Sequence, residues 1–208
     1  MSAPASPTLV HLVDDDASVR LALEDLLASV GLESRSYVSA ADFLARATFE
    51  VPGCLVLDVR MPGMNGLDLQ QELLRRDVVL PIIFITGHGD IPMSVRAMKQ
   101  GALEFLTKPF REQDLLDALD QALARAREVH AQQVQLRDLQ GRLDSLNEGE
   151  CAVLARVVTG LLNKQIAAQL GVSEITVKVR RAALMRKLQA GSLAELVKMM
   201  ERLEARRR

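Results

Sequence analysis

Asp14-Asp15-Asp16 follows the apolar run Thr8–Val13, Asp58 follows Cys54–Leu57, Thr86 closes Ile82–Thr86, and Lys108 follows Glu104–Thr107 just before Pro109. Several carboxylates gathered in one pocket repel unless a cation joins them. Their acceptor-only oxygens suit the hard ions Mg²⁺, Mn²⁺ and Ca²⁺. A lysine adds a point charge and a threonine adds a hydroxyl donor. Together these are the parts that phosphoryl transfer requires. Each ending has a plainer role open to it. Asp14–Asp16 could cap a helix, Asp58 before Met61-Pro62-Gly63 could serve a turn, Thr86 before Gly87 could end a strand, and Lys108 could be a surface charge. Four such endings, all at strand ends and in this order, favour a shared pocket. His88 reads as a surface-loop histidine.

The elements that must carry these groups are legible as alternation. Besides the four runs above, Glu33–Tyr37 is a weaker apolar segment. Helical patterns lie between, at Ala17–Ser29, Ala40–Ala47, Gly66–Arg75 and Ile91–Gln100. Near-continuous apolar strands belong to parallel sheets covered on both faces. The expectation is an α/β domain over 8–125 with a five-stranded, doubly wound parallel sheet, whose ligands bind beyond the strand carboxyl ends. Residues 1–7 are expected to be disordered. From Glu112 a long helix begins, with Leu115, Ala122, Val129, Leu136 and Leu143 recurring every seven. The stretch 126–146 is expected as a helical linker, either an exposed connection or one strand of a coiled coil.

Residues 147–208 are expected as a small all-α domain, punctuated by Gly160, Gly171 and Gly191 and N-capped at Asn163, Ser173 and Ser192. A short helix, a glycine turn and a longer basic helix make a helix-turn-helix. Ile166, Leu170, Val177, Leu184 and Leu188 form its buried stripe, while Lys178, Ala182 and Arg186 share an opposite face that can enter a major groove. The last helix, Ser192–Ala205, carries Leu193, Leu196, Val197, Met200 and Leu203, part core and part available to join two such domains. Charge agrees. The chain's net −1 is a sum of −4 over residues 1–111, −3 over 112–144 and +6 over 145–208. Such an asymmetry points to an anionic partner for the tail.

Composition removes several other classes. At 49% apolar and 25% charged the chain is neither disordered nor collagenous. With 3% aromatics and no Trp, it has no platform for stacking sugars or bases. Cys54 and Cys151 are too few for a disulfide scaffold or zinc site, and Cys54 reads as a reduced core thiol. No run approaches the roughly 18 apolar residues of a membrane span. The N-terminus lacks the pattern of a signal peptide, so a cytoplasmic protein is expected.

Val10–Asp15, Leu55–Gly66 with Asp58 inside it, Phe84-Ile-Thr86-Gly and Phe105-Leu-Thr-Lys108-Pro109-Phe resemble the receivers of two-component response regulators, over residues 8–125. The resemblance implies that Asp58 accepts a phosphoryl group from a sensor histidine kinase. It implies that Asp15, Asp58 and the main-chain carbonyl of Arg60 hold Mg²⁺ or Mn²⁺, with Asp14 supporting through water. Thr86 and Lys108 would contact the phosphoryl group, and Lys108-Pro109 would be cis. Phe105 stands where the family has its switch aromatic, here without the commoner tyrosine hydroxyl. Phosphorylation adds about −1.5 to −2 charges. Thr86 would move toward it and Phe105 would turn inward, remodelling a face with Val95, Met98, Lys99 and Leu103 into a homodimer interface.

Residues 145–205 resemble the LuxR-type helix-turn-helix, and the whole chain resembles the FixJ/NarL class of transcription regulators. The resemblance implies that Lys178, Val179 and Ala182 face bases. Lys164, Thr176, Arg180, Arg186 and Lys187 would serve backbone phosphates. Arg181 would either join them or pair with Glu150. Two departures stand out: Leu146-Asn147-Glu148-Gly149-Glu150 replaces the usual Leu-Thr-x-Arg-Glu, and Arg180 replaces a usual His. The expected partners are a kinase, promoter DNA and a second copy, with RNA polymerase as a further candidate and no membrane. Such a protein is no enzyme beyond its own phosphoryl uptake and loss. Two other readings stay open: a regulator working through protein contacts without phosphate, and an aspartate-nucleophile phosphatase. The phosphatase would want a second Asp where Arg60 stands.

Overall fold

The computed structural model describes residues 7–87 and 91–207. The expected disorder of 1–7 falls outside them except at Pro7, and so does the expected loop placement of His88. Two compact units divide between Ala131 and Gln132.

In the first unit, β1 (Leu9–Val13), β2 (Glu33–Tyr37), β3 (Gly53–Asp58), β4 (Ile82–Thr86) and β5 (Glu104–Thr107) form one sheet in the order β2-β1-β3-β4-β5. All pairings are parallel. The helices between are α1 (Ala17–Ser29), α2 (Ala40–Arg46), α3 (Gly66–Arg75) and α4 (Ile91–Lys99), followed by α5 (Glu112–Asp144). Alternate side chains leave opposite faces of a strand, and here both faces are covered. Val13, Leu55, Leu57 and Phe84 pack with Phe43, Leu69, Leu73 and Ala97. On the other face, Val10, Leu12, Cys54, Val56, Ile83 and Ile85 pack with Leu23, Leu27, Leu115, Leu119 and Ala122. This doubly wound arrangement explains why the strands read as unbroken apolar runs. Cys54 is fully buried, and burial pushes its thiol up to about 12, so it stays protonated.

The second unit holds the end of α5 and then α6 (Glu148–Val157), α7 (Asn163–Leu170), α8 (Glu174–Leu188) and α9 (Leu193–Arg207). Val153, Val157, Ile166, Val177, Leu184, Leu188 and Leu196 make its core, with Leu143, Leu146 and Leu170 packed against it. Local chemistry sets the helix ends. Asn147 accepts the Glu150 N–H at 2.9 Å, and the Glu150 carboxylate accepts the Asn147 N–H at 2.9 Å. This capping box is what the Asn-for-Thr replacement preserves. Gly171 turns the chain from α7 to α8 in the left-handed region, at φ 64°.

Two helix ends differ from expectation. Leu162, not Asn163, caps α7, and its N–H is received by the Gln165 side chain at 2.8 Å. Asn163 is instead the first helical residue, and its side-chain oxygen serves Arg181. The left-handed residue closing α8 is Gln189, at φ 54°, two positions before Gly191.

Candidate functional site

The carboxyl ends of β1, β3 and β5 bring Asp14, Asp58 and Lys108 together. The Lys108 ammonium donates to Asp14 Oδ2 at 2.7 Å and to Asp58 Oδ1 at 3.2 Å. Both carboxylates are held elsewhere too. Asp14 Oδ1 accepts the Asp16 N–H at 2.8 Å, and Asp58 Oδ2 accepts the Arg60 N–H at 2.7 Å. Asp14 and Asp58 are 2% and 5% exposed. Burial raises the Asp58 carboxyl above its ordinary value; Lys108 opposes this and Asp14 adds to it. Burial lowers Lys108, but the hydrogen bond and charge of Asp14, then those of Asp58, outweigh it and leave the ammonium raised. Thr86 is buried at the end of β4, and its main-chain carbonyl accepts the Lys108 N–H at 2.8 Å. The Lys108–Pro109 peptide is cis.

The three consecutive aspartates divide their work. Asp16 caps α1, its side chain accepting the Ser18 and Val19 N–H groups at 2.8 and 3.4 Å. Asp14 enters the pocket. Asp15 is exposed and lines an adjoining cleft of about 640 Å³ with Arg60, Met61, Met93 and Arg96. Among the described residues no three acidic, histidine or cysteine side chains converge closely enough to hold a metal ion. Of the expected set of Asp15, Asp58 and the Arg60 main-chain carbonyl, with Asp14 behind them, Lys108 contacts Asp14 and Asp58 while Asp15 and Arg60 line the cleft. The donor chemistry still fits Mg²⁺ or Mn²⁺. The buried carboxylate oxygens and the neighbouring acid are hard acceptors beside an open cleft.

Gly66 sets the approach of α3 to the pocket. A side chain there would collide with the main-chain carbonyl of Asp58. Arg20 donates to the Asp14 carbonyl at 2.6 Å. Neither residue's role stood out in the sequence, since each meets a main-chain carbonyl that only the fold brings to it. Phe105 is half-buried with its ring 6.2 Å from that of Phe84. Val95 and Met98 are each 44% exposed, Lys99 is exposed, and Ile91 on the same helix is 80% exposed. Leu103 differs from these four, being half-buried against the α1–α5 side of the sheet.

In the second unit, α8 presents Lys178, Val179, Ala182 and Arg186 to solvent, and Lys164 is exposed on α7. Glu174 reaches Lys178 at 3.4 Å. The Thr176 N–H and hydroxyl are tied to Ser173. Arg180 lies over Gly149: a Cβ there would come within 2.7 Å of its guanidinium carbon. The two departures noted in the sequence are thus in contact, the missing side chain making room for the larger one. The proposed Arg181–Glu150 pair is not formed. Glu150 pairs with Lys187 at 2.7 Å, and Lys187 also donates to the Ser145 carbonyl at 3.0 Å. Arg181 donates to Asn163 at 3.0 Å. Lys187 lies six residues further along α8, and it, rather than Arg181, reaches the capping box. The Lys187 hydrogen bond, then that of the Asn147 N–H, holds Glu150 below its ordinary range. Both cations therefore serve the fold.

A pocket of buried acids and one lysine on a doubly wound sheet, joined in one chain to a basic helix-turn-helix, defines a class: phosphorylation-responsive regulators of transcription. Residues 10–120 match the response regulator receiver domain, and residues 144–200 match the bacterial regulatory proteins of the luxR family. The chain belongs to the response regulators that join these two domains. It is 50% identical to Nodulation protein W of Bradyrhizobium diazoefficiens over 96% of this chain and 88% of the relative. It is 46% identical to Response regulator protein TmoT of Ectopseudomonas mendocina over 95% of this chain and 90% of the relative. Among solved structures, response regulator StyR shares 49% identity with a TM-score of 0.78, covering 94% of this chain and 98% of that one. No helix among the described residues is long and apolar enough to cross a membrane.

Proposed function

We propose that Asp58 is the phosphoacceptor through which a sensor histidine kinase controls DNA binding by this transcription regulator. The observation that carries this is the Lys108 ammonium bridging Asp14 and Asp58 at the strand ends. An Asp58 oxygen attacks phosphorus, the bond from phosphorus to the donor's imidazole nitrogen breaks, and the imidazole leaves. Lys108 has three donors, two already engaged by carboxylates. One turns to a phosphoryl oxygen, and the Thr86 hydroxyl reaches another. Asp15, Asp58 and the Arg60 carbonyl would hold Mg²⁺ or Mn²⁺, with Asp14 behind them. When bound, the ion neutralises charge on the phosphoryl oxygens. Turnover is limited to the protein's own phosphoryl uptake and loss.

Phe105 then turns inward, and Ile91, Val95, Met98 and Lys99 join a face shared by two copies. Pairing raises the effective concentration of the second α8 at DNA. Lys178, Val179 and Ala182 meet bases, while Lys164, Thr176, Arg180 and Arg186 meet phosphates. The work is cytoplasmic, and RNA polymerase is a further contact at the promoter. The test is labelling with acetyl phosphate and Mg²⁺. The natural chain takes up label and Asp58→Asn takes up none. Equal labelling of both would overturn the assignment. Sedimentation with beryllofluoride reads the dimer, and an unchanged monomer would remove that step.

A further inference from the structure

Ile175 stands at the second position of α8 and is 73% exposed; Val179, one turn on, is 63% exposed. At 3.6 residues per turn, Ile175, Lys178, Val179, Ala182 and Arg186 fall within an arc of about 100°. Ile175 lies at its centre. The buried stripe of Val177, Leu184 and Leu188 faces the opposite way. Single exposed apolar residues are ordinary. Two large β-branched ones, adjacent on a helix face and bordered by two cations, are not explained by folding. Isoleucine is also a poorer helix former than the straight-chain residues that usually fill exposed positions.

A groove that attracts Lys178 and Arg186 is anionic. In the DNA major groove the C5-methyl of thymine is the one apolar group among the donors and acceptors on the base edges. The first turn of a recognition helix is the part that reaches those edges. We infer that Ile175 is a specificity-determining residue that packs against thymine methyls, with Val179 extending the contact along the groove. This rests on the reading of α8 as the DNA-recognition helix. It adds a preference for thymine at the step facing the α8 N-terminus.

The test uses the full chain with Mg²⁺ and beryllofluoride, on duplexes selected from a random-sequence pool. Each dT of the preferred duplex is then replaced by dU, which deletes only the methyl. The natural chain should lose about three- to fivefold in affinity at one or two of these positions, the worth of one buried methyl-sized group. Ile175→Ala should lose a similar factor on the dT duplex and nothing more on the dU duplex. Ile175→Val, shorter by one methylene-sized group, should fall between and guards against a folding fault. If Ile175→Ala weakens dT and dU duplexes alike, or no dU replacement matters, the inference is overturned while the DNA reading stands. If the pool yields no preferred sequence, the DNA reading fails and takes the inference with it.

Discussion

At the sheet end, Asp14 and Asp58 are at most 5% exposed and share one ammonium 2.7 and 3.2 Å away. On α8, Lys178 and Arg186 stand in solvent, and Lys178 meets Glu174 across 3.4 Å. The first set of charges is compensated inside the protein, in a medium where a missing partner is costly. The second is screened by water and salt, where a surface pair is worth 0–1 kcal/mol, and is available to an outside partner. One region stores charge balance that a phosphoryl group can upset. In the proposed reading the other keeps its charge for DNA.

The sharpest way to break that contrast is to remove the internal cation. Lys108→Ala leaves two buried carboxylates facing each other. The expected loss of stability is about 3 kcal/mol, the low end for a broken buried pair because Lys108 is partly exposed. Without the ammonium, burial and the Asp14 charge act unopposed on Asp58 and hold its pKa above the unfolded value. The deficit is therefore full at pH 7 and shrinks as pH falls through that raised value. Urea unfolding at pH 7 and pH 5 reads this. Arg186→Ala on α8 should leave both midpoints unchanged, and an equal loss there would erase the distinction between the regions.

His11 tests the buried region from the acid side. It lies on β1, 1% exposed, with Nδ1 3.1 Å from the Tyr37 hydroxyl and rings of Phe43 and Phe49 around it. Burial, then the Arg35 charge, lowers it to about 4. A depressed histidine pKa makes its contribution full above the unfolded value of 6.5, and the contribution is lost as pH falls toward 4. Between pH 7 and 5 the receiver should lose about 2 kcal/mol through this group. His11→Gln should flatten that slope in thermal melts. An unchanged slope would mean other groups carry it.

The strands and their chemistry were legible because both are local patterns. Apolar runs mark strands covered on two faces, and each polar group sits where its run stops. Division of labour among Asp14, Asp15 and Asp16 was not legible. Identical side chains one position apart point to the pocket, the cleft and the α1 N-terminus. Nor was the partner of Glu150, since Arg181 and Lys187 are equally basic and only the packing of α8 on α6 brings Lys187 to the capping box. Gly149 and Arg180 could each be noted as departures, but their contact joins residues 31 positions apart. Gly66 acts by what it lacks, and such a role shows only when a neighbouring main chain is in place.

On the exposed side the effects are smaller and depend on salt. Lys178→Ala should cost about 1–3 kcal/mol on a preferred duplex and less on bulk DNA. Lys164→Ala should weaken all duplexes alike and lower the salt slope by about 1. Binding titrations at several salt concentrations separate the two. If Lys178→Ala acts uniformly, it is a phosphate contact and the base-reading face shrinks toward Val179 and Ala182.

Glu174→Gln should give the smallest change and bears on both halves of the contrast at once. Glu174 sits in the first turn of α8, where a negative charge is favoured by the helix dipole. It also forms an exposed pair with Lys178 four residues on. Losing both should lower stability by about 0.5 kcal/mol or slightly more. The same change removes an anion from the face proposed to meet DNA and releases Lys178, so affinity should rise about twofold at low salt. That gain should fade as salt screens the surface, whereas the stability loss should fade only in part, since the dipole acts within the first turn. Were Glu174→Gln to weaken DNA binding instead, Lys178 would depend on Glu174 for its position, and α8 would be preorganised by an internal pair much as the receiver pocket is.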